Sequence, residues 1–140
     1  ELMERLTEEW KATAKKRFNP KYNRMEYYDG TITGLDGRPI KVPSEHMLLV
    51  YLLQSDEAIM MAAAYNRFHK RMDVLGYTYG KEYGTVCWMH DEFNVECDED
   101  IAPIVKKESE DSIAWAGKFY NIKCPHLGQG AIGKNWYNIH

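Results

Sequence analysis

Asp91 and Glu92 stand side by side in an otherwise apolar stretch, with Thr85-Val86-Cys87-Trp88-Met89 before His90 and Phe93-Asn94-Val95-Glu96-Cys97 behind. Both flanks read as strands, with Phe93, Val95 and Cys97 on one face. His90-Asp91-Glu92 then falls at the tip of a hairpin, where no Gly or Asn supplies the usual turn. Two carboxylates this close repel unless a cation or a base is near. A hard cation such as Mg²⁺ takes oxygen ligands and keeps several waters, so one or two protein carboxylates suffice and substrate phosphates complete its shell. Two-metal phosphoryl transfer has this requirement, with ions roughly 3.5–4 Å apart clamping the attacking and leaving oxygens. Read alone, the acidic pair is explained more simply by a solvated polar turn.

Other chemistries are poorly provided for. HExxH, GxSxG and GxxxxGKS are all missing. His69, His126 and His140 have no tight metal-ligand spacing, which disfavours a metal-dependent hydrolase built on His90, Asp91 and Glu92. Cys124 and His126 could share a zinc ion, but an exposed strand end explains them better. Cys87, Cys97 and Cys124 are odd in number and contain no CxxC, which fits a reducing cytosol and not a disulfide framework. Tyr77, Tyr79 and Tyr83 could stack on bases. Covering a sheet edge is the simpler role for them.

The elements that would carry these residues follow from periodicity. Leu2, Leu6, Trp10, Thr13 and Ala14 form an apolar stripe, predicting an amphipathic helix over about 1–18, ended by Asn19-Pro20. Asp29-Gly30 and Asp36-Gly37 lie among β-formers, predicting short strands either side of each turn over about 26–43. From Ser44, a plausible N-cap, to Met72 no Gly or Pro interrupts a wide apolar face, predicting a long helix region over about 44–72. Gly76, Gly80 and Gly84 mark a Tyr-rich loop. The acidic hairpin spans about 85–97. A helix over Asp98–Phe119 follows, with Ile101, Ile104, Val105, Ser112, Trp115, Ala116 and Phe119 buried. Ile122-Lys123-Cys124 reads as a last strand before a Gly-rich tail. The fold class expected is α+β, long helices packed on a small antiparallel sheet.

Composition bounds the rest. The 140 residues suit one domain, 44% of them are hydrophobic and 13% aromatic, and wholesale disorder is therefore excluded. A net charge of −3 excludes a domain held on DNA by bulk charge alone. Charge is nonetheless uneven: residues 1–41 carry nine basic and seven acidic residues, the remainder nine and fourteen. Lys11, Lys15, Lys16, Arg17, Lys21 and Arg24 read either as a solvated helix face followed by a loop or as a contact for a polyanion backbone. No apolar run is expected to reach the roughly 18 residues of a membrane span, and no secretory leader is visible. The chain begins at Glu1, which suggests a piece of something longer.

Several stretches together resemble one family. Trp88-Met89-His90-Asp91-Glu92-Phe93-Asn94-Val95 resembles motif C of the family A DNA polymerases, a palm-subdomain β-hairpin with His-Asp-Glu at its tip. Gly34-Leu35-Asp36-Gly37-Arg38 resembles the turn upstream of the long palm helix, and Ser44 to Ser55, ending Leu52-Leu53-Gln54-Ser55, the start of that helix. Trp115 resembles an aromatic position of the next helix, and Gly133-Lys134-Asn135-Trp136-Tyr137-Asn138-Ile139-His140 the family's C-terminal ending. The likeness covers about residues 31–140 and is closest to the short-tailed-phage replicative polymerases.

The resemblance implies that Asp91 binds the catalytic metals, two Mg²⁺ in the intact enzyme, and that Glu92 supports that site. It places His90 near the primer terminus and Gln54 against the minor-groove edge of the terminal base pair, with His46 as a weaker candidate for the template–primer face. For His90 and Gln54 the plainer roles are a hydrogen-bonded palm histidine and an interior glutamine. Val50 stands where the family usually has Asn, and Asp56-Glu57 where small residues are usual, so fidelity or DNA affinity is expected to differ. Nothing matches the motif A Asp or the Arg-Lys pattern of the fingers helix. The chain is therefore expected to be a C-terminal part of a polymerase palm, lacking fingers, thumb and the motif A strand. By itself it should be inactive, not retain Mg²⁺, and self-associate through uncovered apolar surface. Primer–template DNA and deoxynucleoside triphosphates would be partners of the whole enzyme, in the cytoplasm of a bacterial host. The alternative is a stand-alone module binding a divalent metal or nucleic acid without catalysis.

Overall fold

The computed structural model describes residues 1–139, so His140 of the C-terminal motif and of the histidine set lies outside the described residues. The fold is α+β, as expected, but its strands form three separate antiparallel pairs instead of one small sheet. Length predicts one domain; the chain instead forms two compact units, Glu1–Ile59 and Met60–His140.

In the first unit, α1 (Leu2–Thr13) is followed by β1 (Lys15–Asn19), β2 (Arg24–Tyr28), β3 (Gly30–Thr33) and β4 (Pro39–Val42). A 3-10 turn, Glu45–Met47, then leads into α2 (Leu48–Val74). The helix expected to reach residue 18 stops at Thr13. The Thr13 hydroxyl accepts the Thr31 N–H at 2.7 Å and ties the helix end to β3, while Lys15–Asn19 pair with Arg24–Tyr28. Asp29-Gly30 is not a hairpin turn. β2 pairs back to β1, and Asp29, at φ 51°, redirects the chain into β3 with its N–H on the Pro43 carbonyl. The second turn is as predicted, with β3 and β4 paired across residues 34–38.

Leu6, Trp10, Ile32, Val42 and Leu48 form this unit's core, while Leu2 at the head of the predicted stripe is exposed. Trp10 is fully buried and its indole N–H donates to the Val42 carbonyl at 2.7 Å. Gly30 lies beneath it: a Cβ there would sit 2.5 Å from both Trp10 Cδ1 and the Trp10 carbonyl oxygen.

In the second unit, the later part of α2 is joined by β5 (Tyr83–Met89), β6 (Glu92–Cys97) and α3 (Ala102–Phe119). Phe68, Met72, Tyr83, Ile101 and Val105 make its core, with Phe93, Val95 and Cys97 packed on it from one face of β6 as predicted. Glu108 and Ser112 lie in the buried stripe of α3, where Glu108 accepts Arg71 Nε at 3.0 Å and Nη2 at 3.3 Å, and Ser112 accepts Arg67 Nη1 at 3.1 Å. Phe119, expected inside, is exposed and stacks on Trp115. No strand forms at 122–124, where the chain turns back so that His126 packs against Gly117.

One expectation about α2 needs correction. By length and composition its Glu45–Val74 stretch could cross a membrane. Asp56 and Glu57 interrupt it, however, and each charged carboxylate at a bilayer centre costs about 2.5–3.5 kcal/mol on insertion scales. Leu48, Ile59, Met61, Ala64, Phe68 and Met72 are buried along it, while Leu49, Val50, Leu53 and Val74 are exposed.

Candidate functional site

The β5–β6 register decides the shape of the acidic tip. Met89 pairs with Glu92, which leaves His90 and Asp91 as the two turn residues. A two-residue turn between twisted strands needs positive φ, and His90 supplies it at 51°. His is among the few non-glycine types enriched in that region. The Trp88 indole N–H donates to the His90 carbonyl at 3.2 Å and braces the turn. Trp88 in turn packs on Tyr65, whose hydroxyl donates to Thr85 Oγ1 at 2.9 Å.

Asp91 is exposed at the tip, and its carboxylate makes no hydrogen bond or ion pair with the described residues. Glu92 is half-buried as the first residue of β6, not part of the turn itself. Its Oε1 accepts Asn94 Nδ2 at 2.7 Å, and Asn94 is buried. Residues two apart on a strand share a face, so this orienting bond follows from the Glu92-Asn94 spacing. A cavity of about 710 Å³ opens between β6, α3 and residues 129–134, with Glu92 and Asn94 in its wall. A carboxylate on the turn and a second at the start of the adjoining strand suit a hard divalent ion as part of its shell. Among the described residues no group of three or more His, Cys, Asp or Glu comes together to complete one.

The other predicted residues fall in the first unit. Gln54 is exposed on α2 and has no hydrogen-bond partner among the described residues, so the plainer reading of an interior glutamine fails. His46 is exposed too, but on the 3-10 turn before α2 and not on the helix itself; its Nε2 lies 3.5 Å from Ser44 Oγ. Leu49, Val50 and Leu53 are also exposed on this stretch of α2.

Asp56 has a structural task. Its Oδ1 accepts the Leu35 N–H at 3.0 Å, and the 34–38 turn is closed by the Gly34 N–H on the Arg38 carbonyl at 2.9 Å. Gly37 adopts φ 83° there, while the Arg38 guanidinium hydrogen-bonds Asp36 and lowers the Asp36 pKa. Burial pushes the Asp56 pKa above the ordinary 3.8. A raised pKa means the folded state holds the proton more readily, so this stabilisation is complete below the unfolded value and lost as pH rises through the folded one. At neutral pH the charge is a net cost. Asp56→Asn, which keeps the acceptor, should match or exceed the wild type in urea unfolding at pH 7, with the difference shrinking as pH falls. Asp56→Ala should lose about 1 kcal/mol by orphaning the Leu35 N–H. A larger loss in Asn than in Ala would contradict this.

The aromatic residues of the loop are mostly structural. Tyr83 is buried and its hydroxyl lies 2.9 Å from His69 Nδ1, with Tyr79 packed edge-on to both rings. Burial lowers the His69 pKa and raises that of Tyr83, so both stay neutral near pH 7. Cys124 is exposed and among the described residues His126 joins no metal-binding group.

The DNA-directed DNA polymerases of Enterobacteria phage T3 and Escherichia phage T7 are each 32% identical to this chain over 112 residues, or 78% of it. The chain is homologous to a segment of phage DNA-directed DNA polymerases. A third relative, the DNA-directed DNA polymerase of Escherichia phage Phieco32, is 28% identical over 118 residues, 79% of this chain. The matches span only 16% of the T3 and T7 polymerases and 19% of the Phieco32 one. No family model matches the chain. The likeness to phage polymerases read from the motifs is thus borne out.

Proposed function

We propose that this chain is the C-terminal palm segment of a family A, phage-type DNA polymerase and that its β5–β6 hairpin is motif C. The observation that carries the reading is a braced two-residue turn of His90 and Asp91 with Glu92 opening the next strand, in a chain homologous to phage polymerases. The whole enzyme joins a deoxynucleotide to a primer during replication in the host cytoplasm: the primer 3′-hydroxyl attacks the α-phosphate and pyrophosphate leaves. Two Mg²⁺ ions, when bound, stabilise the charge on the attacking and leaving oxygens.

Asp91 would hold these ions, and its carboxylate makes no hydrogen bond or ion pair with the described residues that would compete for them. Glu92, oriented by Asn94, would hold or tune the same site. The Trp88 brace keeps the tip from wandering, which matters because the reaction depends on positioning and charge neutralisation. His90 would lie by the primer terminus, and exposed Gln54 would read the minor-groove edge, with His46 nearby along the chain. Minor-groove acceptors are shared by A·T and T·A pairs, so Gln54 would test pair shape more than sequence.

The segment alone offers neither a second metal-binding Asp of motif A nor a triphosphate-binding Arg-Lys pair. Primer extension by these 140 residues in Mg²⁺ should therefore yield no product. Incorporation that disappears in Asp91→Ala would overturn this part of the proposal.

A further inference from the structure

The hairpin of β1 and β2 is the most strongly charged surface of the first unit. Residues 15–28 hold Lys15, Lys16, Arg17, Lys21 and Arg24 against one acid, Glu26, a net of +4 within a chain of −3. The sequence expectation of a helix face would have scattered these charges; the strand register gathers them. Lys15, Arg17 and Asn19 lie opposite Tyr28, Glu26 and Arg24, and so share one face. Lys16 and Phe18 face the other way, opposite Tyr27 and Met25.

Every cation of the hairpin sits over an aromatic ring. Lys15 and Arg17 lie 5.8 and 5.3 Å from the Tyr28 centroid, and Lys16 lies 5.2 Å from that of Tyr27. At the tip, Lys21 and Arg24 lie 5.2 and 5.3 Å from Tyr22. Rings so placed hold flexible cationic chains in position, which lowers the ordering cost of binding. Glu26 offsets part of the charge, at 3.6 Å from Arg17 and 3.9 Å from Arg24, and Asp29 lies 3.4 Å from Lys15. Lys16 and Lys21 have no acidic partner among the described residues. Tyr22 and Phe18 are 57% and 56% exposed, so a flat apolar group can reach them.

We infer that the β1–β2 hairpin is a binding site for single-stranded nucleic acid, its cations on phosphates and Tyr22 and Phe18 on unpaired bases. Charge alone would accept any polyanion. The exposed rings among the cations select a strand whose bases are free to stack, as in sequence-tolerant single-strand binding. The inference rests on the polymerase reading only in preferring nucleic acid to an acidic peptide.

The test is fluorescence anisotropy of a labelled oligodeoxythymidylate with the full chain, across a salt series in EDTA. It reads binding alone, so a failure of metal chemistry leaves it untouched. The triple variant Lys16→Gln, Lys21→Gln, Arg24→Gln removes three charges. The slope of log K against log salt should fall by about 2, and affinity at 0.1 M salt by roughly a hundredfold. Tyr22→Ala should weaken binding roughly 5- to 150-fold while leaving the slope unchanged. All four side chains are exposed, so the hairpin should keep its fold. An unchanged slope in the triple variant would overturn the proposal. So would equal competition by polyglutamate of the same charge, which would assign the hairpin to an acidic peptide.

Discussion

Asp91→Asn, placed in the polymerase that carries this segment, should cost at least about 10³-fold in kcat and leave primer–template affinity nearly unchanged. The magnitude follows from what the carboxylate would hold: metal ions contribute several kcal/mol of transition-state charge stabilisation, and each 1.36 kcal/mol is tenfold in rate. The substitution is clean because Asp91 makes no hydrogen bond with the described residues, so the amide disturbs no internal contact. Glu92→Gln should cost less, about tenfold, since one oxygen already accepts Asn94 and the amide can preserve that bond. Single-turnover kinetics with pre-bound primer–template separates the two effects. Loss confined to DNA affinity, with kcat intact, would move Asp91 out of the metal site.

The largest stability effect is expected at Trp10. The ring is fully buried in the core of a 59-residue unit, too small to spread the loss. Trp10→Ala should cost about 3–5 kcal/mol. Trp10→Phe keeps most of the apolar contact and removes the indole donor to the Val42 carbonyl, so about 0.5–1.5 kcal/mol is expected. Gly30→Ala attacks the same contact from below: its Cβ has no room between the indole and the Trp10 carbonyl, and overpacking of this kind costs about 1–3 kcal/mol. Urea unfolding followed by Trp fluorescence, with circular dichroism for the Trp10 variants, checks all three. A Gly30→Ala protein as stable as the wild type would show that the helix end can move aside.

The parts of the fold that could be read from sequence were those with uninterrupted local signals. α2 has no Gly or Pro over its 27 residues, and β6 alternates Phe93, Val95 and Cys97 toward the core. β1 carried no such signal. Lys15-Lys16-Arg17 is strongly polar and continues a helical stripe through Thr13 and Ala14, so only pairing with β2 makes it a strand. The same pairing turned Asp29-Gly30 from a hairpin turn into a corner. Glu108 was illegible for a different reason: a carboxylate is buried only when paired, and its partner Arg71 lies 37 residues away.

The candidate site divides similarly. The acidic pair was visible because two carboxylates broke an apolar hairpin. The register then separated their environments, leaving Asp91 exposed on the turn and Glu92 on the strand with Asn94. The Trp88 brace and the left-handed His90 depend on turn geometry that residue types do not specify. Asp56, which the motif comparison marks only as a departure expected to alter fidelity or DNA affinity, also holds the Leu35 turn.

The most direct test of the palm-segment proposal is to read the coding DNA upstream of Glu1. The proposal predicts an open frame running back through a strand with a metal-binding Asp and a fingers helix with its Arg and Lys, so that Asp91 is half of a two-metal site. A start codon at or just before Glu1 would contradict it, leaving a stand-alone module that binds metal or nucleic acid without polymerising.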